Sequence, residues 1–355
     1  MTDRHPSNLQ PLTSNLQSPI PNLQHYFAQF LPAIEAEMRR VVQAPGDPVL
    51  AEFYGMLHYH LGWVDAGFQP AQFDAGKRIR PVLTLLCCEA AGSDWHCALP
   101  VAAAVELLHN FSLIHDDLED GDRMRRGRAT LWAIWGEAQA INAGDALFTL
   151  AHMALNGLAT YNIPSARMLT VRERFDQACL ALTQGQHLDL GFESRLSVTE
   201  AEYLRMIAGK TAALLQAACG IGALVAGSET VACYENFGRE LGIAFQIQDD
   251  LLGIWGALEI TGKPAGSDIL NHKKSLPVTY GLARSEALRH LYSQEVIDVS
   301  AAMAELEHSG ARKYSEQMAA QHHQRALNAL AAAGQENAAT VALQELVESL
   351  LKRSA

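Results

Sequence analysis

The sequence is poor in the features of strand-built and cofactor-binding folds. Runs of β-branched residues are scarce and no strand-like segment alternates with a helix, which excludes a parallel-sheet enzyme. Neither a G-x-G-x-x-G turn nor a Walker loop is present, so no dinucleotide or P-loop site is expected. The six cysteines show no C-x-x-C spacing and sit in apolar or small-residue surroundings. They are expected to be free thiols in a reducing compartment rather than a zinc site or a disulfide framework. The first residues are polar and proline-containing, unlike a signal peptide, so the expected location is cytoplasmic. Positive charge is in short supply, 27 Lys and Arg against 39 Asp and Glu for a net charge of -12, which argues against nucleic acid as a partner. No run reads as a transmembrane segment. The longest weakly polar one, Thr211 to Gly227, contains Gln216 and several glycines and reads as a helix buried all round.

What is present is helix-forming. Hydrophobic residues make up 49% of the 355 positions, with alanine and leucine abundant. Residues 1–24 are rich in Ser, Asn, Gln and Pro, with Asn-Leu-Gln recurring at Asn8, Asn15 and Asn22, and are expected to be a disordered tail. Residues 25–355 are expected to form a single all-α domain. Its helices should run from His25 to about Gln43, Pro48 to about Ala66, Ala75 to Ala91, Leu99 to Ile114, Ala129 to Leu158, Ser165 to about Leu190 and Glu229 to Leu252.

One stretch, His109 to Arg128, carries most of the chemistry. On a helix Asp116 and Asp120 share a face, with Asp117 one position round, and like charges at that spacing repel. A magnesium ion removes the penalty, since it takes one or two carboxylates and fills its other positions with water and phosphate oxygens. The following Arg123, Arg125, Arg126 and Arg128 offer forked donors suited to phosphate. The alternative is a solvated acidic turn followed by a basic one. A second half decides for the metal and diphosphate: Gln246, Asp249 and Asp250 also end an apolar helix, and Lys263, Asp268, Lys273 and Lys274 follow. Lys77, Arg78 and Arg80 open another helix, where basic side chains oppose the macrodipole unless an anion binds there. Lys210, beside Thr211, enters an apolar run and needs an anionic partner or an exit to water.

GKRIRP, HNFSLIHDDLED, RRGRAT, GQHLDL, GKTAAL, FQIQDDLLG and GKPAGSDILNHKKSLP stand in this order between about residues 70 and 285. Together they resemble the trans-isoprenyl diphosphate synthases, the polyprenyl synthetase family. The resemblance implies the all-α isoprenoid-synthase helical bundle around a central cavity. It also implies a magnesium-dependent prenyltransferase joining isopentenyl diphosphate to an allylic diphosphate, and a homodimer. Carried over residue by residue, Asp116 and Asp120, with Asp117 in support, would hold two magnesium ions from one wall. Asp249, with Asp250 in support, would hold a third from the other. Arg125, Lys210 and Lys263 would bind the allylic diphosphate. Lys77, Arg80, His109 and Arg126 would bind isopentenyl diphosphate, with Gly76 shaping the turn. Thr211 and Gln246 would line the reacting carbons.

Two positions depart from the family pattern. Gly253 stands where many members carry a further aspartate, and Ala129 stands where a proline usually follows the Arg-Arg-Gly turn. Product chain length should be set by Phe111 and Ser112, five and four residues before Asp116. A phenylalanine there resembles the floor of short-chain members, so geranylgeranyl diphosphate is expected first and farnesyl diphosphate second. The alternatives are a terpene cyclase or head-to-head synthase on the same fold, and a catalytically silent partner subunit. The second diphosphate pocket counts against the cyclase, and the retained site residues count against the silent subunit.

Overall fold

Composition and pattern both ask for helices, and a computed structural model shows them over the residues it describes, 22–74, 76–257 and 265–351. The N-terminal tail lies outside the described residues up to position 21. Asn22 already caps the first helix, its side chain accepting from the His25 amide at 3.0 Å. The helices are α1 (Leu23–Val41), α2 (Ala51–His60), α3 (Ile79–Ala90), α4 (Leu99–Glu119), α5 (Leu131–Trp135), α6 (Glu137–Ala154) and α7 (Ser165–Glu193). Then come α8 (Glu200–Ile207), α9 (Ala213–Ala226), α10 (Val231–Trp255), α11 (Ser267–Leu270), α12 (Leu276–Arg284), α13 (Glu286–Tyr292), α14 (Val299–His308), α15 (Ala311–Ala332) and α16 (Ala338–Leu351).

The centre of the bundle is α4. Every residue from Leu99 to Leu108 is buried, so this half of the helix, apolar but for Glu106, must be enclosed by others. It packs against α1, α3, α6 and α9. Each leucine fully buried there contributes roughly 1.5–3 kcal/mol. The small-residue helix α9 is sandwiched by α3, α7 and α10. Two helical stretches, Trp95–Glu119 and Glu200–Ala226, are long and apolar enough to cross a membrane, and most of each lies buried inside the bundle.

Two local features aim side chains. Between α8 and α9, residues Ala208–Ala212 form a turn of π-helix, whose extra residue re-aims the side chains of one turn and delivers Lys210 and Thr211. Opposite it lies Gly185 on α7, where a β-carbon would overlap the Lys210 backbone nitrogen, so the two elements touch backbone to backbone. The second feature is a hairpin, β1 (Met124–Arg125) against β2 (Arg128–Ala129), paired Met124 with Ala129 and Arg125 with Arg128. Its two turn residues, Arg126 and Gly127, both have positive φ (50° and 73°), the geometry of a two-residue hairpin turn.

Some expected boundaries move. The segment expected as helix from Pro48 to Ala66 ends at His60, and the chain turns at Gly62. The helix expected from Ala75 begins only at Ile79. Arg78 caps it in the left-handed region (φ 46°), held there by an ion pair to Glu35 at 2.6 Å, so Lys77 precedes the helix rather than riding on it. The helix expected over Ala129 to Leu158 is broken twice. Ala129 belongs to the hairpin, and Gly136, with φ 85°, separates α5 from α6. The proline that Ala129 replaces is not needed for rigidity, because the Tyr59 hydroxyl donates to the Ala129 carbonyl at 2.8 Å.

Candidate active site

The end of α4 forms one wall. Asp116 is partly buried, and burial together with the charges of Asp120 and Glu119 outweighs Lys210 and Arg125 and lifts its pKa to about 6. Asp120 is the exposed cap of the helix, its amide donating to the Asp116 carbonyl at 2.8 Å, so the one-turn spacing persists at the helix end. Asp117 turns the other way. It is 2% exposed and ion-paired through Oδ1 to Arg125 Nε at 2.6 Å.

The facing wall comes from α7, the π turn and α10. Lys210 pairs with Asp189 at 2.5 Å. Burial works against its charge, but Asp189 and, from α4, Asp116 and Asp120 hold its pKa above the usual lysine range. Thr211 donates to Gln246 Oε1 at 2.6 Å, and Gln246 donates to Asp250 Oδ1 at 3.0 Å. The other Asp250 oxygen accepts from the Tyr203 hydroxyl at 2.6 Å and the Leu276 amide at 2.9 Å. Asp250 is thus buried with both oxygens engaged by protein donors, while Asp249 beside it is exposed. The Asp249 charge reaches both Arg80, on the first side of the cavity, and Tyr203 on its own side. Lys273, which follows α11, feels Asp268, Asp189 and Asp120 together, and these outweigh burial to raise its pKa. Charges from α4, α7 and the segment after α10 thus act on one another across the bundle. Lys263 lies outside the described residues.

A third group of side chains gathers beneath the hairpin. Gly76 has φ 81°, and a β-carbon there would come within 2.6 Å of the Arg126 guanidinium, so only glycine lets Arg126 lie against this turn. Lys77 is exposed beside it. Arg80 Nη1 lies 3.3 Å from His109 Nε2, and the Arg80 Nε is buried without a hydrogen-bond partner. Burial lowers the pKa of His109, and Arg80 and Arg126 push it further down, well below the usual histidine range. The other arginines of the row do structural work. Arg128 is sandwiched 3.9 Å from both the Tyr59 and Phe73 rings and donates to the Tyr59 and Val64 carbonyls, and Arg123 lies over Trp132.

Below Asp116 a cavity of about 280 Å³ runs between α4 and α7, lined by Phe111, Ser112 and His115 on one side and Leu182, Gln186 and Leu190 on the other. Phe111 is the aromatic residue in its lining. The ring packs on His115 at 4.8 Å and Phe148 at 5.1 Å, and Phe148 continues to His152 at 4.7 Å and that to Phe175 at 5.2 Å. His115 has its place here as a wall of the cavity.

Three residues escaped the sequence reading. Glu106, 3% exposed, is a buried counter-charge to Arg78, Arg80 and Arg126, which oppose the rise in pKa that burial imposes on it. Its signal is that it is the one acidic residue in the apolar run from Leu99 to Ile114, where a carboxylate needs a partner. Asp189 stands in GQHLDL and Tyr203 six residues before GKTAAL, but their partners lie 21 and 47 positions away in the chain.

Among the described residues no three His, Cys, Asp or Glu side chains converge into a ready-made metal cage. The residues present still fit magnesium, which needs few protein ligands when phosphate supplies the rest. Asp116, whose pKa is raised first by burial and then by the charges of Asp120 and Glu119, is a carboxylate that a bound cation would return to its charged form.

The Polyprenyl synthetase family pattern matches residues 63–307. A (2E,6E)-farnesyl diphosphate synthase of Mycobacterium bovis is 41% identical over 316 residues, covering 84% of this chain and 86% of the relative. A geranylgeranyl diphosphate synthase of Mycobacterium tuberculosis is 45% identical over 257 residues, covering 72% and 71%. The crystal structure of a polyprenyl synthetase from Streptomyces coelicolor superposes with a TM-score of 0.82 at 37% identity, covering 92% of this chain and 98% of that one. With the family's sequence pattern and its helical bundle both present, this chain belongs to the polyprenyl synthetase family.

Proposed function

We propose that the chain is a short-chain trans-prenyl diphosphate synthase that condenses isopentenyl diphosphate with an allylic diphosphate, with geranylgeranyl diphosphate as the main product and farnesyl diphosphate as the second reading. The observation that carries this is that the charges of Asp116 and Asp120 act on Lys210, while Asp116 also lines a cavity with Phe111, Leu182 and Leu190 among its walls. Such a hollow holds a diphosphate at its mouth and a hydrocarbon tail below. Relatives named for both products support the short-chain class.

Breaking the allylic carbon-oxygen bond leaves extra negative charge on the departing diphosphate. Lys210, paired with Asp189, and Arg125 are the counter-charges assigned to it, and Lys263, outside the described residues, is the third by the family resemblance. Arg125 binds Asp117 through Nε, which leaves its two terminal amino groups for phosphate. Asp116, Asp120 and Asp249 would hold magnesium, three ions being the proposed number, and the metal would supply further positive charge to the leaving group. Asp250 acts as a positioning residue rather than a ligand, since both its oxygens serve to fix Gln246, Tyr203 and the start of α12. Through Gln246 it orients Thr211, whose proton points at Gln246 and whose oxygen lone pairs are left to face the allylic cation. Lys77, Arg80, His109 and Arg126 hold isopentenyl diphosphate so that its double bond meets that cation, and a proton then leaves to the released diphosphate.

The test is purified protein with magnesium, isopentenyl diphosphate and each of dimethylallyl, geranyl and farnesyl diphosphate. Linear prenyl alcohols recovered after phosphatase treatment, with twenty carbons predominant, are expected. A cyclic hydrocarbon made from one substrate alone, or no turnover with any of them, would refute the reading.

A further inference from the structure

His60 closes α2, and none of the roles assigned above uses it. Its imidazole stands beside the arginine hairpin, where Arg125, Arg126 and Arg128 all act on it, and it acts in turn on His109 of α4. The ring bonds to the backbone of Asn110, while Nε2 is shut off from solvent and has no hydrogen-bond partner. A buried polar atom in that condition calls for a missing partner. Arg80 Nε, beside His109, shows the same condition. Two orphaned nitrogens within one group of guanidinium charges share one chemical solution, an anion that accepts from both. Without it, burial and the three arginines push the His60 pKa down to about 3 and keep the ring neutral. A diphosphate reverses the sign of the local potential and favours the protonated ring.

We propose that His60 is a further ligand of the isopentenyl diphosphate pocket, its Nε2 donating to a phosphate oxygen when the anion is bound. The inference rests on the reading of that pocket given above. Isopentenyl diphosphate then enters with a proton taken from solvent, and the proton leaves with it. The charged and titratable groups that face His60 are Arg125, Arg126 and Arg128 on the hairpin and His109 on α4. Among the described residues, α6, which also packs on α2, contributes none of the charges acting on it.

The experiment is calorimetric titration of isopentenyl diphosphate into the full chain at pH 7, in two buffers of different ionisation enthalpy, for wild type, His60→Asn and His60→Leu. Wild type should bind with net proton uptake. The leucine variant should bind at least tenfold more weakly with reduced uptake, and the asparagine variant should fall between. Affinity for a thio analogue of geranyl diphosphate should change less than twofold, and the melting temperature of the ligand-free protein should not fall. If the leucine variant does not fold, the asparagine variant carries the test. Unchanged affinity and uptake in a folded variant would overturn the role of His60 alone. Failure of wild type to bind isopentenyl diphosphate would overturn the pocket reading and the inference with it.

Discussion

Lys210 shows how single residues set the site. Its charge survives burial only because Asp189 touches it and Asp116 faces it. Asp189→Asn should therefore lower kcat by roughly 10²-fold, the order of loss when one preorganised charge interaction is weakened, measured as diphosphate release at saturating substrates. The two adjacent aspartates of α10 should separate cleanly. Asp249→Asn should raise the magnesium concentration needed for half-maximal rate, whereas Asp250→Asn should lower kcat without moving it. His60 gives a pH prediction for the empty protein. Its folded pKa is depressed to about 3 from an ordinary histidine value, so the unfolded chain binds more protons between the two. The stability its neutral form contributes is complete above about pH 6.5 and is lost as pH falls toward 3. Urea midpoints should rise from pH 5 to pH 7 in wild type and rise less in His60→Leu. At this scale the carboxylates and the basic residues were legible, because helical spacing alone puts Asp116 and Asp120 on one face. Glu106 and the structural use of Arg78 and Arg128 were not, because their partners Arg80, Glu35 and Tyr59 are distant in sequence.

Elements aim these residues by close contact. At Gly185 any side chain would enter the π turn that carries Lys210. Gly185→Val should cost about 1–3 kcal/mol by overpacking and lower activity more than stability explains, as seen by comparing melting temperature with kcat. The cavity floor is likewise a layered element. Phe111→Ala opens the cavity only as far as Phe148, so it should lengthen the product modestly, while Phe111→Ala with Phe148→Ala should lengthen it further. Chromatography of the dephosphorylated products decides, and an unchanged product from Phe111→Ala would remove Phe111 as the floor. Helices were legible from periodicity and composition, with the expected α4 and α10 close to those found. The hairpin was not, because a positive φ at Arg126 is a local strain that becomes affordable only when Tyr59, Phe73 and Gly76 hold the loop from outside.

At the scale of the whole molecule, large apolar side chains stand exposed on two of the long helices. Ile141 and Met153 on α6 and Leu169 and Leu180 on α7 are 44, 55, 69 and 60% exposed, large side chains on two long helices. A second copy of the chain is the proposed cover. Light scattering should give a dimer mass for wild type and a lower mass for Leu169→Glu with Leu180→Glu, and a wild-type monomer would refute it. By itself the sequence determined the helical class, the two acidic helix ends and the basic segments that answer them, because helix spacing and local charge are short-range properties. Only the tertiary structure decided which carboxylates stay exposed and which are spent inside the protein. Asp249 and Asp250 are neighbours of one type, and what separates them is burial and the donors brought to Asp250 from Tyr203 and Leu276, which no local pattern encodes.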